Sequence, residues 1–276
     1  MIEQVSSKLL QPIYNDDQPI STTMHAPLTI FDRLAYDQYV SSLYAYKPPN
    51  PSNTVLERGL QKALSEYREW AGRFGEDNDG QAVINDEGLR FIEASADCTL
   101  DQAMPFTVPT FLKLSLLSEG LKELVLVQVT RFTCGSLVLS FSSNHIVADG
   151  LPMSKFMTAW AQACRGIEIH PRPLHDRNMF VPRNPSIIKF DHTNFETTKR
   201  KLSNDSMMPH YTKDDLIHQV LHFTSEFIAN LKSKASSLAF PDDNGGGLTL
   251  AYSTFECLVA HLWRVITRVR LLIYGG

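Results

Sequence analysis

The chain has few of the features that most directly assign a function. Its four cysteines, Cys98, Cys134, Cys164 and Cys257, stand far apart and make no CxxC pair. That removes the zinc-ribbon and dithiol-motif readings and leaves reduced thiols as the expectation. No apolar run is long enough to span a bilayer, so no membrane association is expected. The opening MIEQVSSKLLQP has no basic stretch followed by a long apolar one. A secretory signal is therefore not expected, and a cytoplasmic setting is. Neither sign of charge dominates: the net charge of −4 gives no electrostatic reason to expect nucleic acid. No repeat recurs at solenoid spacing. The segment DDNGGG, residues 242–247, lacks the lysine and serine of a phosphate-binding loop.

What remains is the composition of an ordinary globular chain, and 276 residues leave room for one large domain or two smaller ones. Leu56, Leu60, Ala63, Leu64 and Tyr67 recur at helical spacing behind a Thr54/Glu57 capping-box pattern, with Gly72 as a stop. Residues 80–94 read as two short strands joined as a hairpin through Asn85, Asp86 and Gly88. Residues 123–146 carry the strongest strand signal, an antiparallel pair around Cys134-Gly135-Ser136. The next segment, LPMSKFMTAWAQACRG, predicts a helix with Met153, Phe156, Trp160 and Cys164 on one face, ended by Gly166. Residues from about 170 to 215 turn rich in proline and charge. Regular signals resume with a strand in LIHQVLHFTSE and a helix in FIANLKSKA. A final helix follows, capped by Ser253 with Glu256 and carrying an apolar stripe of Phe255, Leu258, Val259, Leu262 and Ile266. Trp160 and Trp263 are expected in cores. The class is α/β (α+β), a mixed sheet with helices. The domains are expected at 1–185, at 216–276 (the incomplete start of a second domain) and, between them, a crossover linker at 186–215. One strand and two helices do not close a second core.

The stretch SFSSNHIVADG places His145 where a strand ends and a turn leads to a helix. Three readings are open. His145 is a base, since a histidine's ordinary pKa near 6.5 suits proton transfer at neutral pH. It is a metal ligand, although no third ligand stands nearby in sequence. Or it is a histidine that happens to end a strand. Asp149 either orients the ring or pins the turn, and Gly150 allows a backbone angle other residues resist. His218 and His222 have a zinc-helix spacing without the glutamate base, and read as surface or half-buried residues. No metal site is expected.

The run VQVTRFTCGSLVLSFSSNHIVADGLPMSKFMTAWAQACRG resembles the plant BAHD acyl-CoA-dependent acyltransferases, near their hydroxycinnamoyltransferase branch. SLYAYKPP, WAGRF, INDEGLRFIEASAD and STFECLVAHLWR resemble further family segments in the family's order. CGS stands where the family often has CGG, and the family's DFGWG segment does not occur. The resemblance implies a chloramphenicol-acetyltransferase-like fold of two similar domains, the second incomplete here. It implies transfer of an acyl group, hydroxycinnamoyl by branch, from its CoA thioester to an alcohol or amine. His145 is then the general base, and Asp149 and Gly150 are structural at the site. By position, Ser42 and Tyr44 match substrate-pocket residues, and Ser253 and Thr254 match positions near the CoA arm. The partner of Asp149 is implied to be an arginine, for which Arg264 and Arg268 are substitutes. Acyl-CoA enters as co-substrate with no bound cofactor, and the family is usually monomeric. The competing expectation is a truncated, catalytically inactive family fragment.

Overall fold

Residues 125–144 supply two strands whose side chains divide by alternation, and the rest of the first unit is built around them. In the computed structural model the described residues are 2–14, 23–35, 38–75, 81–115, 122–176, 180, 184–187, 221–236 and 252–274. The chain divides into two units, residues 1–210 and 211–276.

In the first unit, strands β1 (Ile2–Leu10), β2 (Met24–Pro27), β3 (Tyr39–Tyr46), β4 (Arg73–Phe74), β5 (Gln81–Ile84), β6 (Leu89–Ala96), β7 (Val125–Phe132) and β8 (Leu137–Asn144) form two sheets. The larger runs β1-β6-β7-β8-β3 and the smaller β2-β5-β4. Within the larger sheet β6 and β7 are parallel and the other pairs antiparallel. β7 and β8 form the expected antiparallel pair, and Gly135 in their turn takes a φ of 78°, which glycine supplies without strain. Helices α1 (Ile30–Leu34), α2 (Asn53–Glu66), α3 (Leu100–Ala103), α4 (Val108–Leu114) and α5 (Gly150–Cys164) complete this unit.

The main core lies between one face of the larger sheet and the helices α2 and α5. Val125, Val127, Val129, Leu137, Leu139 and Phe141 meet Leu60, Leu64, Phe156 and Trp160 there. The Phe156 ring stacks on Trp70 at 4.4 Å between centroids, and Trp160 Nε1 donates to the Leu56 carbonyl at 2.8 Å. Each fully buried leucine or phenylalanine contributes about 1.5–3 kcal/mol over an exposed one. The opposite face carries a smaller core, with Ala96, Leu100, Leu114, Phe132 and Val138. Beside it the buried Gln128, Thr130, Ser140 and Ser142 make that face polar.

Four expectations need correction. Residues 81–96 hold two strands but no hairpin, because β5 pairs with β2 and β4 while β6 pairs with β1 and β7. Asp86 serves the crossing between the sheets: its carboxylate accepts from Arg68 Nε and Nη2 at 3.1 and 2.9 Å and from the Tyr14 hydroxyl at 2.8 Å. The cap of α2 is Ser52, whose hydroxyl accepts from the Val55 N–H, while Glu57 turns instead to Lys8 at 2.8 Å. Gly72 follows a 3₁₀ turn, Arg68–Ala71, rather than ending α2. Trp160 is core, but Trp263 is 72% exposed.

In the second unit, α6 (Ser225–Ser236) and α7 (Thr254–Tyr274) pack together, with the Phe227 ring edge-on to His261 at 5.3 Å. The expected helix in FIANLKSKA lies within α6. Of the expected strand before it, residues 216–220 are outside the described residues, and Ser225 and Glu226 already belong to α6. The expected Ser253/Glu256 box is present: Glu256 N donates to Ser253 Oγ at 3.2 Å and Ser253 N to Glu256 Oε2 at 2.7 Å. On the apolar stripe of α7, Phe255 and Ile266 are exposed, while Leu258 and Leu262 are half-buried. No described helix is long and apolar enough to cross a membrane. The expected linker over 186–215 falls mostly outside the described residues.

Candidate active site

β8 runs through the core and stops at Asn144, and the chain is fixed at that point from several sides. Asn144 N donates to the Leu124 carbonyl at 2.9 Å. Its side-chain Oδ1 accepts from Ile146 N at 3.0 Å and its carbonyl accepts from Val147 N at 3.0 Å. An asparagine that folds onto the N–H two residues ahead drives a turn, which swings the chain out of the sheet. His145 N donates to the Gln38 carbonyl at 2.9 Å, just before β3 begins. The histidine is half-buried, and its Nδ1 is buried with no hydrogen-bond partner among the described residues. Buried polar atoms without partners are uncommon, and each calls for an explanation.

The other end of the turn is pinned by Asp149. Its Oδ1 accepts from Leu151 N at 3.0 Å, which makes it the N-cap of α5. Of the two roles open to it, orienting the ring or anchoring the turn, the observed bond is that of the anchor. Gly150 needs a different reason from the one expected. Its φ is not positive, and a Cβ there would meet no described atom within 4 Å. It is simply the first residue of α5, so backbone strain does not select glycine.

Ser42 and Tyr44 lie on β3, the edge of the larger sheet, opposite Phe141 and Leu139. Along β8 the position opposite Ser42 comes three residues before the last residue of the strand, Asn144, and the position opposite Tyr44 five residues before it. Tyr44 packs against the main core. Ser253 and Thr254 are in the second unit, where Ser253 Oγ is engaged in the cap of α7. Arg264 and Arg268 lie on α7. His222 is exposed and His218 lies outside the described residues. His175 accepts a structural task, with Nδ1 at 2.7 Å from Glu69 Oε1 and Nε2 at 2.9 Å from the Glu66 carbonyl. The Glu69 carboxylate holds the His175 pKa above its ordinary value, against the opposing effect of burial. Among the described residues no group of three or more His, Cys, Asp or Glu side chains is placed to hold a metal ion.

Two supports of His145 were not among the expected site residues: Asn144, whose side chain forms the turn, and the Gln38 carbonyl. Asn144 had a local signal, because Asn two residues before an apolar one at a strand end is a turn former. Gln38 had none, since its role depends on which strand borders β8.

The family profile described as "Transferase family" matches residues 1–272. The chain is 46% identical to agmatine hydroxycinnamoyltransferase 1 of Oryza sativa subsp. japonica, over 96% of this chain and 60% of that protein. It is 43% identical to agmatine coumaroyltransferase-1 of Hordeum vulgare, again over 96% of this chain and 60% of the relative. Putrescine hydroxycinnamoyltransferase 3 of Oryza sativa subsp. japonica is 39% identical, over 98% of this chain and 61% of its own length. The chain thus spans about three-fifths of these curated relatives. Among solved structures, vinorine synthase superposes with a TM-score of 0.65 at 21% identity, covering 100% of this chain and 62% of that one, which shows a shared fold. With HIVADG at the pinned end of β8, the mixed sheet under its helices and a profile match over residues 1–272, the chain belongs to the Transferase family, the BAHD acyltransferases.

Proposed function

We propose that this protein takes part in transferring a hydroxycinnamoyl-type acyl group from its CoA thioester to an amine, with His145 as general base. The observation that carries the reading is the half-buried His145, whose main chain is bound to Gln38 and whose Nδ1 has no partner among the described residues. The similar proteins named above, agmatine and putrescine transferases, favour an aliphatic amine over an alcohol as acceptor.

An alkylamine has an ammonium pKa of about 10, so near neutral pH it must first lose one proton to solvent. The free amine then attacks the thioester carbonyl, and His145 takes the second proton from nitrogen as the C–N bond forms. The tetrahedral oxyanion collapses, the C–S bond breaks, and CoA leaves as thiolate to be protonated. General-base help of this type is worth about 10²–10⁴-fold. Holding donor and acceptor together can supply about 7–11 kcal/mol more. No acyl-enzyme is involved, and Asp149 acts by fixing the turn. Contact of the CoA arm with Ser253 and Thr254 would share the α7 cap. Ser42 and Tyr44, on β3 beside β8, are proposed to line the substrate pocket.

The test is release of free CoA when the purified protein meets p-coumaroyl-CoA with agmatine, putrescine, tryptamine and a set of alcohols. Release that depends on an amine supports the reading, and release only with alcohols overturns the acceptor class. A second reading, a family member without turnover of its own, is favoured by the apolar surface of α7, where Phe255, Trp263 and Leu272 are 75%, 72% and 85% exposed. No CoA release with any acceptor decides for it.

A further inference from the structure

We propose that Cys98 and Cys134 form a peroxide-sensitive thiol pair, a modification site at the end of the larger sheet opposite to His145. The ends of β6 and β7 lie side by side, and the two cysteines follow them. Ala96 lies across from Phe132 in the parallel pair, and two residues further along each chain stand Cys98 and Cys134. Both cysteines lie past the paired residues, Cys98 in a bend and Cys134 in the β7–β8 turn, so the bonds between those two segments are what join them. Two bonds hold the segments there. Thr133 N donates to the Cys98 carbonyl at 3.1 Å, and Leu100 N donates to Cys134 Sγ at 3.5 Å. The Cys134 sulfur therefore already lies over the segment 98–100.

The two thiols differ as an attacking and a resolving thiol should. Cys134 is exposed on the β7–β8 turn, with Sγ 3.2 Å from Ser136 Oγ. Cys98 is half-buried against the smaller core. Hydrogen bonds from Ser136 and the Leu100 N–H lower the Cys134 pKa, which raises its thiolate fraction. The remaining thiols are less available. Burial pushes Cys164 up to about 11, and its thiol donates to the Val55 carbonyl at 3.6 Å. Cys257 is buried.

The chemistry balances with hydrogen peroxide as the oxidant. The Cys134 thiolate attacks one peroxide oxygen, the O–O bond breaks, and Cys134 sulfenic acid forms with release of hydroxide. The Cys98 thiol then attacks that sulfur, the S–S bond forms, and water leaves. The two thiols together lose two electrons and one peroxide gains them.

The test treats the intact protein with equimolar hydrogen peroxide, blocks free thiols with iodoacetamide, and maps the digest by mass spectrometry. The expected product is a Cys98–Cys134 cross-linked peptide, lighter by two hydrogens than its separate halves. In C98S the link is lost and dimedone traps Cys134 instead; in C134S both the link and the trapping are lost. Without peroxide, Cys134 should alkylate at least about tenfold faster than Cys164. Oxidation that starts at Cys164 or Cys257 overturns the proposal. So does Cys134 proceeding to sulfinic acid with Cys98 left free.

Discussion

His145 N–H donates to the Gln38 carbonyl at 2.9 Å, so the backbone of the candidate base is held by the segment leading into the neighbouring strand rather than by its own. The ring's position thus depends on the β3–β8 pairing, in which Tyr39 stands opposite Asn144.

Replacing the ring tests the proposed base directly. His145→Ala is expected to lower acyl transfer by about 10²–10⁴-fold. Its melting temperature should stay close to that of the parent, because the Nδ1 of the half-buried ring has no hydrogen-bond partner among the described residues to lose. Steady-state CoA release and a thermal melt of the same preparation check both halves. Undiminished turnover would remove His145 from the mechanism.

Asp149 separates anchor from charge. Asp149→Ala removes the cap on Leu151 N and should cost about 0.5–2 kcal/mol of stability. Asp149→Asn keeps an accepting oxygen and should restore most of the stability and the activity. If the asparagine variant melts like the parent but loses turnover as alanine does, the carboxylate charge acts on the site and the anchor role is insufficient.

Gly59 is where α2 and α5 touch. A Cβ there would fall 2.4 Å from Cys164 Sγ and 2.9 Å from the Cys164 main-chain nitrogen. In an open helix, Gly→Ala adds about 0.5–1 kcal/mol of stability. Here the sign should reverse, because α5 backbone must move: Gly59→Ala is expected to cost about 1–3 kcal/mol. Denaturant melts read this, and a stabilised variant would show that the crossing is loose.

The segment after α5 is tied to α2 by His175, whose folded pKa is raised above 6.5 by the Glu69 carboxylate. A raised value means the contact contributes fully below about pH 6.5 and is lost as pH climbs through the folded pKa. His175 is half exposed, so the effect is small. Between about pH 5.5 and 8.5 the parent should lose slightly more stability than His175→Gln. Parallel pH dependences of the two proteins would dismiss the strap.

Much of the first unit could be read locally. The β7–β8 pair and α5 follow from alternation and from apolar spacing within about twenty residues, and Gly135 and Gly166 adopt the positive φ their turns need. The error at residues 81–96 has a physical source. Asn85, Asp86 and Gly88 do specify a tight change of direction, with φ of 54° at Asp86 and 98° at Gly88, but a turn signal does not say which strands will pair. Gly88 instead lets the chain pass against Leu10, whose carbonyl oxygen would lie 2.5 Å from a Cβ. Trp263 shows the same limit: helical spacing marks an apolar face without saying what covers it.

The residues NHIVADG by themselves determined the turn and the helix start, because each depends on bonds only two or three positions apart. Tertiary structure decided what stands beside that turn. Only the pairing of β3 with β8 places the Gln38 carbonyl on His145 N–H, and the same pairing sets Ser42 opposite Phe141 and Tyr44 opposite Leu139. Register between distant strands is a collective outcome of burying two faces at once, and no short stretch of sequence carries it.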